Sequence, residues 1–151
     1  MKAFGEERVA AGETCLIVDL GGCSGMDSTF MGTIAGLATR LSATAGGVLQ
    51  IAEAGDRNRR SLEDLGLDSL IAIDPPAAAW HGKLDVIRGM LKSPLAPGTI
   101  GQIQRARHVL QAHQNLTGIN DRNAHTFEEV VNLLENELAE KEKLADHDGT
   151  K

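Results

Sequence analysis

Aromatic side chains are nearly missing from this sequence: three Phe, one Trp and no Tyr among 151 residues. Stacking platforms for bases or sugars are therefore not expected. Cysteine is scarce as well. Cys15 and Cys23 are the only two, too few for a disulfide framework or a four-thiolate zinc site. A basic excess is lacking, since the net charge is -6 and the pI about 5.3. A general nucleic-acid-binding role needs a basic face and is disfavoured. No apolar run approaches the roughly 20 residues that span a bilayer. The first residues, Met1-Lys2-Ala3-Phe4-Gly5-Glu6-Glu7, hold no apolar h-region, so no signal peptide is expected. The expectation is a cytoplasmic protein without membrane contact, cofactor or metal.

What is present suits an ordinary globular chain: 42% hydrophobic and 24% charged residues, at a one-domain length. Charge is unevenly spread. Residues 1–74 carry a net of -5, residues 75–124 a net of +4 and residues 125–151 a net of -5. This three-part pattern is the first sign of organisation.

Cys15-Leu16-Ile17-Val18-Asp19-Leu20 is a short branched apolar run closed by Gly21-Gly22, the pattern of a buried strand at 15–20. Phe30, Ile34, Leu37, Ala38 and Leu41 recur at helical spacing and predict a helix over 29–44. Gly46-Gly47 stops it. A second strand is predicted at 47–52 and a second helix at 56–65, with Asp56 as N-cap and Gly66 as its stop. A third strand follows at 69–73 before Pro75-Pro76. Strand, helix, strand, helix, strand implies an α/β fold with right-handed crossovers and mostly parallel strands.

The domain expectation is an α/β unit over 1–75, then a linker at 76–100 with a short helix near 83–91. Ala77-Ala78-Ala79-Trp80 reads as a tether and Ser93-Pro94-Leu95-Ala96-Pro97-Gly98 as a break. Helices at 102–117 and 124–144 form a helical hairpin appendage over 101–145, and 146–151 a disordered tail. The basic first and acidic second helix are expected to pair antiparallel.

The informative stretch is Val18-Asp19-Leu20, a turn, then Met26-Asp27-Ser28-Thr29-Phe30-Met31-Gly32. It sets an Asp-Ser pair at a strand-to-helix junction. Backbone N–H groups at a helix start are unpaired and the helix dipole is positive there. A hydroxyl at that point can cap the helix. A phosphate on it would replace a small neutral group by a charge near -2 in a favourable field.

Here the sequence resembles a STAS domain of the anti-sigma factor antagonist type. The resemblance runs over about residues 6–74. It rests on Leu16-Ile17-Val18-Asp19-Leu20, Met26-Asp27-Ser28-Thr29 with the helix to Leu41, Gly46-Gly47-Val48-Leu49-Gln50-Ile51, and Asn58 through Leu70. It implies a partner-switching regulator that binds a GHKL-type serine-kinase anti-sigma factor. The kinase would phosphorylate Ser28, breaking the complex, and a PPM-type phosphatase would restore it. The resemblance assigns partner contact to Asp27, Ser28, Thr29 and Phe30. It implies a substrate and binding switch and no enzyme. Two features depart from the pattern. Phe30 stands where many such domains carry Gly. Only 14 residues precede the first strand, where the family has two strands and a helix, of which 4–11 resembles the end. The expectation is a shortened front with a bare sheet edge. A homodimer through the C-terminal helices is a further expectation.

Blander readings stand beside these. Ser28 reads equally as an ordinary N-cap and Asp27 as a turn acid. In that case the chain is a STAS-like interaction or scaffold module without phosphorylation, or a small-ligand-binding domain. Gly21, Gly22 and Gly25 lack the Lys and spacing of a phosphate loop. Cys15 reads as core and Cys23 as a loop thiol. His108 and His113 are five residues apart, not the four of a helical metal pair, and His113 on the apolar stripe reads as a packed histidine. Arg57, Arg59 and Arg60 read as a solvated face. All five histidines lie at or beyond His81. Ser28 therefore has no evident base, and a hydrolase is not expected.

Overall fold

The computed structural model describes residues 1–91 and 99–148. Six α-helices and a three-stranded sheet lie among them. Their order is α1 (Lys2–Ala10), β1 (Cys15–Asp19), α2 (Ser28–Ser42), β2 (Val48–Ala52), α3 (Gly55–Asp64), a 3-10 turn (Leu67–Ser69), β3 (Ala72–Ile73), α4 (Leu84–Met90), α5 (Gln102–Thr117) and α6 (Asp121–Asp148). The strands lie in the order β1-β2-β3 and both pairings are parallel. The chain is therefore α/β, as its alternating pattern predicts.

Alternation of side chains along the strands gives the sheet two unlike faces. Leu16, Val18, Leu49 and Ile51 join Ile34, Leu37, Ala38 and Leu41 of α2 and Leu62 of α3 in one core. The other face carries Cys15, Ile17 and Asp19, and Ile17 is 46% exposed. Trp80 covers part of this face. It is 4% exposed, and its indole N–H donates to Gln50 Oε1 at 2.7 Å. The stretch read as a tether is thus an anchor. Cys15 is exposed, contrary to the core assignment, because it begins an edge strand on the open face.

Other boundaries differ for local reasons. The third strand is two residues long rather than 69–73, since the chain first makes the 3-10 turn through Ser69. Asp56 does not cap α3, which starts at Gly55 after Ala54. The Asp74 carboxylate instead holds the turn ahead of the helix, accepting from the Glu53 and Ala54 N–H groups at 2.6 and 3.3 Å. Gly66 does stop the segment, at φ 70°, the left-handed geometry that glycine adopts without strain. The final helix begins at Asp121 and continues through 146–148, so that part of the expected tail is helical. The break expected at 93–98 and the tail residues 149–151 lie outside the described residues.

The C-terminal hairpin packs on the α/β core. Leu116 of α5 is fully buried within the same cluster as Leu62 and Ile34. The turn between α5 and α6 is tied to the end of α3. Asn123, 2% exposed, donates through Nδ2 to the Leu65 carbonyl at 2.8 Å. Asn120 Oδ1 accepts from the Asn123 N–H at 2.8 Å and so caps α6. Arg107 of α5 bonds Glu142 of α6, and Gln114 bonds Glu135. These paired positions make the two helices antiparallel, as their opposite charges predict.

Candidate functional site

β1 ends at Asp19, and a loop leads to Asp27, the N-cap of α2. Local bonds shape that loop. The Gly21 N–H donates to Asp19 Oδ1 at 2.9 Å, the Cys23 N–H to the Leu20 carbonyl at 2.8 Å, and Asn58 Nδ2 to the Cys23 carbonyl at 2.7 Å. Asp27 Oδ1 then accepts from the Phe30 N–H at 2.7 Å. The cap is thus Asp27, and Ser28 is the first residue inside the helix. This corrects the capping reading of Ser28: its hydroxyl is released for other work because the preceding carboxylate does the capping.

Among the described residues that hydroxyl has one partner. Ser28 Oγ lies 3.0 Å from Nε2 of His113 on α5. The ring's other nitrogen, Nδ1, lies 2.8 Å from the Val109 carbonyl oxygen. A carbonyl only accepts, so Nδ1 carries the proton. In the neutral ring Nε2 is then the acceptor, and Ser28 donates to it. His113 is 6% exposed and meets Phe127 of α6 edge-on, with centroids 5.7 Å apart. Ser28 itself is half-buried. Contrary to the expectation that Ser28 has no base, an imidazole stands within hydrogen-bond reach of it. His113 lies 85 positions along the chain, and α5 carries it to the start of α2.

A second hydroxyl–imidazole contact repeats the arrangement. Thr33 Oγ1 donates to the Thr29 carbonyl at 2.7 Å and stands 2.9 Å from His108 Nε2. One hydroxyl has one proton, so His108 Nε2 donates here. Burial holds the His108 pKa below its ordinary value, reinforced by Lys2 and opposed by Glu6. The five-residue step between the two imidazoles matches the step between Ser28 and Thr33. Each ring therefore meets one of these two hydroxyls of α2. Among the described residues no cluster of His, Cys, Asp and Glu could hold a metal ion. Between the two contacts the helices approach closely. A Cβ at Gly32 would collide with the Ala112 carbonyl, and Asn115 Nδ2 donates to the Gly32 carbonyl at 3.0 Å.

The remaining expected contact residues sit around this seam. Asp27 is exposed, and Thr29 and Phe30 are half-buried. Phe30 packs against the core. Its ring is an inward anchor at the helix start.

Known proteins add nothing to this picture. No family model, no curated protein and no solved structure matches the chain.

A charged cluster lies at the carboxyl ends of the strands. Arg88 of α4 donates to Asp19 at 2.7 and 2.8 Å and to Glu53 Oε2 at 2.5 Å. The guanidinium holds Asp19 below the usual carboxylate range, and the two acids hold Arg88 above its own. Arg59 is not merely solvated, since it bonds Asp74 at 2.7 Å. Glu53 and Asp74 both have positive φ, 52° and 44°, an uncommon geometry outside glycine.

A groove of about 500 Å³ opens elsewhere, between α1, α2 and α5, with His108, Thr33, Arg40, Gln111 and Asn115 on its walls. His113 and the Arg88 cluster were both missed by sequence reasoning. A histidine on a buried helical stripe was the available signal for the first, because a buried polar ring needs a partner. Nothing local marked Arg88.

Proposed function

We propose that this chain is a STAS-like, anti-sigma factor antagonist-type switch. It binds a GHKL-type serine-kinase anti-sigma factor and is turned off by phosphorylation at Ser28. A PPM-type phosphatase would reverse the mark. On this reading the chain is a cytoplasmic substrate and ligand rather than an enzyme. The observation that carries it is Ser28: a half-buried hydroxyl at the first residue of α2, with capping done by Asp27. A phosphate there would gain the field of the helix start. It would also add a charge of about -1.5 to -2 beside the exposed face of Asp27, which changes what a partner meets.

Incubation with a purified GHKL-type anti-sigma kinase and ATP tests the proposal. Intact mass should show one added phosphate that Ser28→Ala abolishes, and Ser28→Asp should weaken kinase binding. Stable binding with no modification would remove the switch and leave an interaction module. The groove between α1, α2 and α5 favours a second reading, a small-ligand-binding domain. A small molecule that co-purifies with the chain, and is lost with Asn115→Leu, would support that one.

A further inference from the structure

We propose that Ser28 and His113 are a nucleophile–base pair, so that the chain supplies its own proton acceptor when Ser28 takes an activated phosphoryl group. The inference rests on the reading of Ser28 as a phospho-acceptor, and it deepens that reading.

The geometry has three parts. Ser28 Oγ is 3.0 Å from His113 Nε2, within reach for proton transfer. The Val109 carbonyl accepts from Nδ1 at 2.8 Å, which fixes the tautomer that leaves Nε2 bare. Phe127 closes on the ring edge, and only 6% of His113 is exposed, so the imidazole is held in place. Ser28 is the more open of the two, which leaves the oxygen approachable while the base is covered. The start of α2 adds a field that favours negative charge growing near Ser28. A merely structural contact would need only a hydrogen bond. Here the donor is a nucleophile, the acceptor is a base, and a third group orients the base.

The step balances as follows. Oγ attacks phosphorus, the Oγ–P bond forms, and the bond from phosphorus to its leaving group breaks. The Ser28 proton moves to His113 Nε2, and the resulting imidazolium keeps its Nδ1–H on Val109. The product is an ester on Ser28, and no turnover is implied.

A fluorophosphonate probe tests this without any kinase. Attack by Ser28 expels fluoride, and intact mass counts the adduct. The wild type should take one probe, mapped to Ser28 by peptide mass and absent from Ser28→Ala. His113→Gln should slow labelling about a hundredfold, the lower range for a lost general base. Added imidazole should restore labelling to His113→Ala, a rescue that a packing role does not give. Circular dichroism on each variant identifies any that has unfolded. Should His113→Ala unfold, the Gln variant and the wild-type adduct carry the decision. An unlabelled wild type, or equal rates in wild type and folded His113→Gln, would overturn the pair. The two readings fail separately. Kinase phosphorylation of Ser28 that is indifferent to folded His113→Gln keeps the switch and removes the pair. Probe labelling that depends on His113, with no kinase modification, keeps the pair and removes the switch.

Discussion

Helix α5 packs on α2 and on α6 and meets them in opposite ways. Against α2 the seam is close, with Gly32 under the Ala112 carbonyl and Leu116 sealed in the core. Its polar bonds, from His108, His113 and Asn115, are all part-buried. Against α6 the bonds are exposed, from Arg107 to Glu142 and from Gln114 to Glu135. Leu133 and Leu144 on α6 are 67% and 70% exposed. The first seam is made by burial and close fit; the second joins a half-buried apolar stripe on α6, Phe127, Val131, Leu134 and Leu138, to charge pairs in water. Burial stabilises in proportion to apolar area, while exposed ion pairs add little. The α2 seam should therefore hold α5 in place, and α6 should follow it.

The largest effect that tests this contrast is Leu116→Ala. It removes a fully buried side chain and should cost about 2–5 kcal/mol in a denaturant titration. A loss under 1 kcal/mol would mean that α5 is not part of the cooperative core. Gly32→Ala comes next. The added Cβ has no room beside Ala112, so overpacking should cost about 1–3 kcal/mol. The same variant shifts α5 relative to Ser28, so it should also slow probe labelling. A stable Gly32→Ala protein with normal labelling would show that the helices sit farther apart.

The pH dependence gives a smaller effect with a definite sign. Burial lowers the His108 pKa from 6.5 in the folded chain. The unfolded chain therefore binds that proton more readily, so stability rises with pH in this window. The contribution is complete above about 6.5 and is lost as pH falls toward the lowered value. The faces around the ring carry Lys2 and Glu6 from α1 and Thr33 from α2. Melting temperatures between about pH 7.5 and 5 should fall in the wild type, with a shallower fall in His108→Gln, since the linked titration of that group is removed. Equal slopes would mean that His108 is as solvated when folded as when unfolded.

Much of the α/β part was legible in the sequence, and the reasons are local. Strand β1 ends within a residue of where its apolar run stops, and Gly46 and Gly66 have the positive φ that their punctuation implied. The short β3 was not legible, because Leu67, Leu70 and Ile71 are apolar in either a strand or a 3-10 turn. The candidate site was half legible. Asp27 and Ser28 stood out at their junction, and Asp27 bonds local backbone as a turn acid does, but of the two readings of Ser28 the cap does not hold. His113 could be read as packed, and it is. Its partner could not be read, since that contact depends on how α5 crosses α2. Periodicity gives the face of each helix and not the crossing.

The smallest effect is the most direct check on the α6 side of the comparison. Arg107 pairs with Glu142 at 2.6 Å, but 64% of its side chain is exposed. Solvent screens the pair, and both side chains lose rotamer freedom to form it. Arg107→Ala should therefore cost under about 1 kcal/mol, and less as salt is raised. The expectation is a nearly unchanged denaturation midpoint and unchanged probe labelling at Ser28. Hydrogen exchange should nonetheless quicken along the distal half of α6, where Glu142 loses its partner on α5. If Arg107→Ala instead unfolds the chain like Leu116→Ala, the two seams are a single cooperative unit. Charge on α6 would then be as much a part of the fold as the apolar contacts of α5.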